Sequence, residues 1–229
     1  MNYALQRDCS LHTTKAFIFD MDGVIFDTER IARRLWRRVF SDYGYHLGDD
    51  DYKKVIGRSM HATFQVFTEE YGPGLPIEEM VKAQDLLWQE TTSGLISIKE
   101  GVVSTLDYLN ALNIPCAVGS STYQAEVEKK LSTNGLSEYF QVFVGGDSVD
   151  YAKPAPDIFL KCSELLGVGP ENCLVIEDSN NGLRAANAAG IPAVMIPDLI
   201  PANEIDSDLS FVAYDSLLDL QRQLERVYA

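Results

Sequence analysis

Five short apolar runs punctuate the chain: AFIF (16–19), PCAVG (115–119), QVFV (141–144), CLVI (173–176) and PAVMI (192–196). None alternates apolar with polar residues, so each reads as a strand buried on both faces. Helical patterns lie between the later runs. Ser121 and Gln124 have the S-x-x-Q spacing of a capping box, Val127 and Leu131 share a face beyond it, and Gly135 is a fitting stop. After CLVIED, Ser179 is placed to cap a helix running through Leu183 and Ala186 to Gly190. Strands alternating with helices predict an α/β protein with a Rossmann-like parallel sheet covered on both faces.

The stretch 31–95 interrupts this rhythm. ERIARRLWRRVFSDYG, MHATFQVFTEEYG and IEEMVKAQDLLWQETTSG each read as amphipathic helices with no strand between them. The pattern predicts a small helical cap (31–95) inserted into a core of residues 15–30 and 96–229, after an N-terminal extension (1–14) without periodicity. The row Arg30, Arg33, Arg34, Arg37 and Arg38 reads as a solvated helix face, and Trp36 and Trp88 as packing residues.

Four of the five apolar runs end on polar residues: Asp20, Ser120, Gly145-Gly146-Asp147 and Glu177-Asp178. Parallel sheets bind ligands beyond the carboxyl ends of their strands, which would make Asp20, Asp22, Ser120, Glu177 and Asp178 neighbours. Four converging carboxylates either take up protons or bind a hard cation, and oxygen-only ligands favour Mg²⁺. Asp20 and Asp22 leave an extended backbone on the same side, so one can attack while the other moves a proton. Ser120 is placed to bind an oxyanion with its hydroxyl and its backbone N–H at a helix N-terminus. Lys153, in AKPAPDIF, supplies positive charge for a phosphate beside so many acids.

The composition narrows the partners. A formal charge of -15 over 229 residues, 46% of them hydrophobic, disfavours nucleic acid and anionic membrane surfaces. Cys9, Cys116, Cys162 and Cys173 form no C-x-x-C pair, two lie inside strand-like runs, and no apolar segment is long enough to span a bilayer. These features predict a cytoplasmic protein with reduced cysteines, acting on a small molecule as a monomer or weak dimer. His12, His46 and His61 have no spacing that suggests a metal site.

FDMDGVIFDTE, VGSST, GGDSVDYAKPAPDIF and VIEDSNNGLRAANAAGI resemble, in order and spacing, the four motifs of the haloacid dehalogenase superfamily, in its β-phosphoglucomutase-like branch of sugar-phosphate phosphatases and mutases. The resemblance implies that Asp20 is the nucleophile that forms an aspartyl-phosphate, and that Asp22 is the acid for the leaving group and then the base for water. It implies that Ser120 and Lys153 hold the transferring phosphoryl group. Mg²⁺ would be bound by Asp20, the Asp22 carbonyl and Asp178, with Glu177 supporting. Thr28, Ser121 and Arg58, the last in the loop VIGRSM, become the expected substrate contacts. Where mutases of this branch carry a histidine, a lysine and an arginine, this chain has Ala32, Ile56 and Met60. The implied activity is therefore hydrolysis of a small phosphomonoester. A phosphosugar mutase and a non-catalytic phosphometabolite-binding protein are the alternatives.

Overall fold

The computed structural model describes residues 11–92 and 95–228; Cys9 lies outside them. The five apolar runs become β1 (Ala16–Phe19), β2 (Cys116–Gly119), β3 (Val142–Val144), β4 (Cys173–Glu177) and β5 (Ala193–Met195). A two-residue strand, β6 (Val212–Ala213), completes a sheet of order β3-β2-β1-β4-β5-β6 in which every pair is parallel. The order reverses at β1, which pairs with β2 on one side and β4 on the other, so the topological switch point falls at the end of β1.

Successive residues of each strand feed opposite faces, and both faces are dry. Ile18, Ala117 and Val175 pack under α7 (Asp157–Leu166) and α8 (Asn180–Ala188). Phe17, Phe19, Val118 and Ile176 pack under α5 (Val102–Ala111), α6 (Gln124–Thr133) and α9 (Leu217–Val227). Leu11 and Thr14, grouped with the extension from sequence, are buried, and the Tyr228 hydroxyl lies 2.9 Å from the carbonyl of each.

Between β1 and α5 the chain forms α1 (Thr28–Asp42), α2 (Asp49–Lys53), α3 (Met60–Tyr71) and α4 (Ile77–Thr92). Leu35, Trp36, Val39 and Phe40 recur at helical spacing on the buried side of α1. Phe40 meets Phe67 edge-on at 5.0 Å, and Trp36 meets Phe67 at 5.4 Å. The two chain crossings into this helical group are stitched together. Phe26 and Ile98 form an antiparallel bridge, flanked by Asp27 N–H to Ser97 carbonyl and Lys99 N–H to Ile25 carbonyl, both at 2.9 Å. The arginine row faces solvent and carries surface ion pairs, Arg37 with Asp49 and Arg38 with Asp42.

Candidate active site

Asp20 follows the last residue of β1, its N–H still bound to the Ile176 carbonyl of β4 at 2.9 Å. The chain then folds back through a tight turn in which the N–H groups of Ile25 and Phe26 both reach the Met21 carbonyl. Gly23 makes the turn possible. Its φ is +89°, and a Cβ there would stand 2.2 Å from Asp178 Oδ2.

Lys153 enters from the loop after β3 and is buried, with its ammonium 4.6 Å from the Phe159 ring centroid. It donates to Asp20 Oδ1 at 2.5 Å, to Glu177 Oε1 at 2.7 Å and to the Gly119 carbonyl at 3.0 Å, which occupies all three ammonium protons. Glu177 is fully satisfied, because its Oε2 accepts from the N–H groups of Asp178 and Ser179 and from the Ser179 hydroxyl. Asp178 is not: among the described residues, its buried Oδ2 has no partner.

Asp20, Glu177 and Asp178 each offer an oxygen within 4.8 Å of the others. Three carboxylates against one ammonium leave an excess of negative charge. Burial pushes the Asp20 carboxyl up to about 8, with Lys153 opposing and Glu177 adding to the rise. Burial, with Glu177 and Asp20, also holds Asp178 well above the usual carboxylate range. An oxygen-only donor set, an orphaned carboxylate oxygen and the space left by Gly23 together fit a hard divalent cation such as Mg²⁺.

The carboxylate of Asp22 takes different partners from that of Asp20. Its Oδ2 accepts from the Thr122 hydroxyl at 2.8 Å and its Oδ1 from Lys130 Nζ at 2.9 Å. Despite burial, Lys130 and these hydrogen bonds hold its pKa low, and the buried Thr28 hydroxyl adds to the effect without a partner of full hydrogen-bond geometry. The extended strand ends at Phe19, so the turn rather than a strand carries Asp22, whose charge still adds to the rise of the Asp20 carboxyl.

Ser120 is buried at the end of β2, but not at a helix N-terminus, since α6 begins only at Gln124. Its N–H is used by the Val144 carbonyl at 2.9 Å, so its hydroxyl alone is left for an anion. The capping box is not formed either. The Gln124 N–H goes to Asp147 Oδ1 at 2.6 Å, and the Ser121 hydroxyl donates to the Gly57 carbonyl at 3.1 Å. Arg58 directs its Nε to the Lys54 carbonyl at 2.8 Å rather than to any acid of the site.

Sequence reasoning missed several groups here. Glu29, in the first turn of α1, accepts from the Tyr52 hydroxyl at 2.9 Å; burial and Asp22 raise its carboxyl to about 7. Lys99 donates to the Gly23 carbonyl at 2.6 Å and to Asp198 at 2.7 Å, and Arg30 also pairs with Asp198. Lys130 carries no motif signal, since EVEKKLS reads as an ordinary solvated helix face.

A buried carboxylate cluster with one buried lysine lies at the switch point of a Rossmann-like parallel sheet, where α/β proteins bind their ligands. The chain belongs to the haloacid dehalogenase-like hydrolase family, whose profile matches residues 17–196. It is 34% identical over 180 residues to the phosphorylated carbohydrates phosphatase of Thermotoga maritima, covering 79% of this chain and 83% of the relative. It is 35% identical over 185 residues to the fructose-1-phosphate phosphatase YqaB of Escherichia coli, covering 77% and 93%. Among solved structures, CbbY from Rhodobacter sphaeroides in complex with phosphate superposes with a TM-score of 0.75 at 26% identity, over 90% of this chain and 96% of that one.

Proposed function

We propose that this enzyme is a Mg²⁺-dependent phosphatase that hydrolyses a small phosphomonoester, a sugar or polyol phosphate, through a phosphorylated Asp20. The observation that carries the reading is the setting of Asp20 at the switch point, between the Lys153 ammonium and the unpartnered oxygen of Asp178. The phosphatase names of the relatives support it.

In this mechanism an Asp20 oxygen attacks phosphorus, an Asp20–phosphorus bond forms and the ester P–O bond breaks. Asp22, whose carboxyl Lys130 and its hydrogen bonds hold low in the free site, must take up a proton when substrate binds; it passes that proton to the leaving alkoxide and then accepts one from the water that attacks the phosphoryl group, releasing inorganic phosphate and restoring Asp20. Lys153 acts by charge, since its three protons are already committed. The Ser120 hydroxyl donates to a phosphoryl oxygen. Mg²⁺ held by Asp20, Asp178 and the Asp22 carbonyl, with Glu177 supporting from its fixed position, would neutralise charge on the transferring group.

The helices of 31–95 act as a cap in this reading, with Thr28, Ser121 and Arg58 facing the substrate. Arg58 must leave the Lys54 carbonyl to do so. Contact between this group and the core is already close: Ser121 and Asn181 bond the carbonyls of Gly57 and Ile56, and Gly57, at φ +73°, sits against Ser179. Buried thiols at Cys116 and Cys162, pushed up to about 12 by burial, suit a packing role and a reducing, cytoplasmic setting.

The test is phosphate release from a panel of sugar, polyol and nucleotide monophosphates, with Mg²⁺ or EDTA, run beside Asp20→Asn. Release is expected only with Mg²⁺ and only from the wild type. Turnover by a folded Asp20→Asn variant would sink the assignment of the nucleophile, and silence across the panel would favour the mutase or binding alternatives.

A further inference from the structure

Adjacent lysines on α6 are treated differently: the Lys129 side chain is 69% exposed, that of Lys130 only 14%. Withdrawing an ammonium from water needs a partner, and Lys130 has two. Its Nζ lies 2.9 Å from Asp22 Oδ1 and 5.7 Å from the ring centroid of Trp88, on α4. The turn that carries it is anchored as well. Asn134 donates its side-chain amide to the Lys130 carbonyl at 2.8 Å and accepts from the Ile96 N–H at 3.2 Å, which ties this end of α6 to the second chain crossing.

We propose that Lys130 is a positioning residue for Asp22, braced by Trp88, so that the orientation of the proton-transfer group is set jointly by the core and the inserted helices. The assignment rests on the phosphatase reading above. Among the described residues, Lys130 is the cation paired with Asp22, and the Thr122 hydroxyl holds the other oxygen. Two anchors on two oxygens fix the carboxylate plane. With one anchor it pivots about Thr122, and a misaligned acid loses part of the benefit of proton transfer, typically about 10²–10⁴-fold in rate.

The experiment compares kcat/KM for an alkyl ester, a hexose phosphate, with that for p-nitrophenyl phosphate, whose phenolate departs without a proton. This ratio reports the bond-breaking step and not the later attack of water. Lys130→Met should lower kcat/KM for the sugar ester about 30-fold and leave the nitrophenyl ester within about threefold. Lys130→Arg should recover most of the loss, and Trp88→Leu should show a smaller selective loss. In an Asp22→Asn background, Lys130→Met should have no further effect, because it acts through the carboxylate. Thermal melting establishes that each variant folds. Equal losses on both esters, additivity with Asp22→Asn, or an unchanged Lys130→Met enzyme would each overturn the assignment while leaving the phosphatase reading intact. A wild type that releases phosphate from neither ester would overturn both.

Discussion

At the scale of single residues, the site depends on one ammonium. Lys153 is wholly enclosed and bonded to two carboxylates, so Lys153→Met leaves the buried Asp20, Glu177 and Asp178 together without a cation. Breaking a buried pair costs about 3–5 kcal/mol, and the expected result is a drop of that order in urea stability at neutral pH, with phosphatase activity lost. Lys153→Arg should not restore activity, because the forked guanidinium must enter a space closed by the Phe159 ring. Activity at near wild-type level in the arginine variant would contradict this. Gly23 offers a second check: in Gly23→Ala, a methyl at a φ of +89° displaces the Asp178 carboxylate. Mg²⁺ affinity, followed by titration of thermal stability, should fall about tenfold or more. The prominent members of this cluster were legible from sequence because polar residues at the ends of apolar runs are conspicuous. Lys130 and Asp198 were not, because each matters only through a partner far along the chain, and locally each reads as a surface charge.

At the scale of elements, the same contrast separates what periodicity reveals from what contacts decide. The five runs declared themselves as strands because both faces of the sheet are covered. β6 did not, since two half-buried residues, Val212 and Ala213, make no pattern. The short α2, opening on DDDYK, has no apolar period to find. Capping motifs divide in the same way. Ser179 caps α8 as its sequence suggests, accepting from the Gly182 N–H at 3.1 Å, whereas Ser121 is drawn off by Gly57 from a helix that starts later. Ser179 also donates to Glu177 Oε2 at 3.0 Å, so one hydroxyl joins helix start to site. Ser179→Ala should cost about 1–2 kcal/mol from the cap, a fall of about 2–4 °C in Tm per kcal/mol for a chain of this size. It should also reduce kcat by freeing Glu177. A melting loss with unchanged kcat would confine Ser179 to the cap.

At the scale of the whole molecule, the protein carries a net charge of -15 and concentrates part of it in a buried site. Without a cation, the folded state relieves this charge by holding protons. Asp20 is raised from 3.8 to about 8, while the unfolded chain keeps the ordinary value. Between those two values the folded state binds a proton that the unfolded state does not. The stability contributed by this group is therefore complete below the ordinary value and is lost as pH rises through the folded one. On the proposed reading, Mg²⁺ would need the ionised carboxylates and compete with those protons, so its binding would strengthen over the same interval. In EDTA, the Tm contribution of this site should fall as pH rises between about pH 4 and about pH 8, and the gain in Tm on adding Mg²⁺ should be larger at the higher pH. Asp178→Asn, which removes an ionisable group whose buried oxygen lacks a partner among the described residues, should stabilise the EDTA-treated protein at the upper end of this pH range and abolish most of the Mg²⁺ gain. A Mg²⁺ gain that is independent of pH, or that survives in Asp178→Asn, would mean that the cation binds elsewhere on the acidic surface and that the carboxylate cluster is relieved by protons alone.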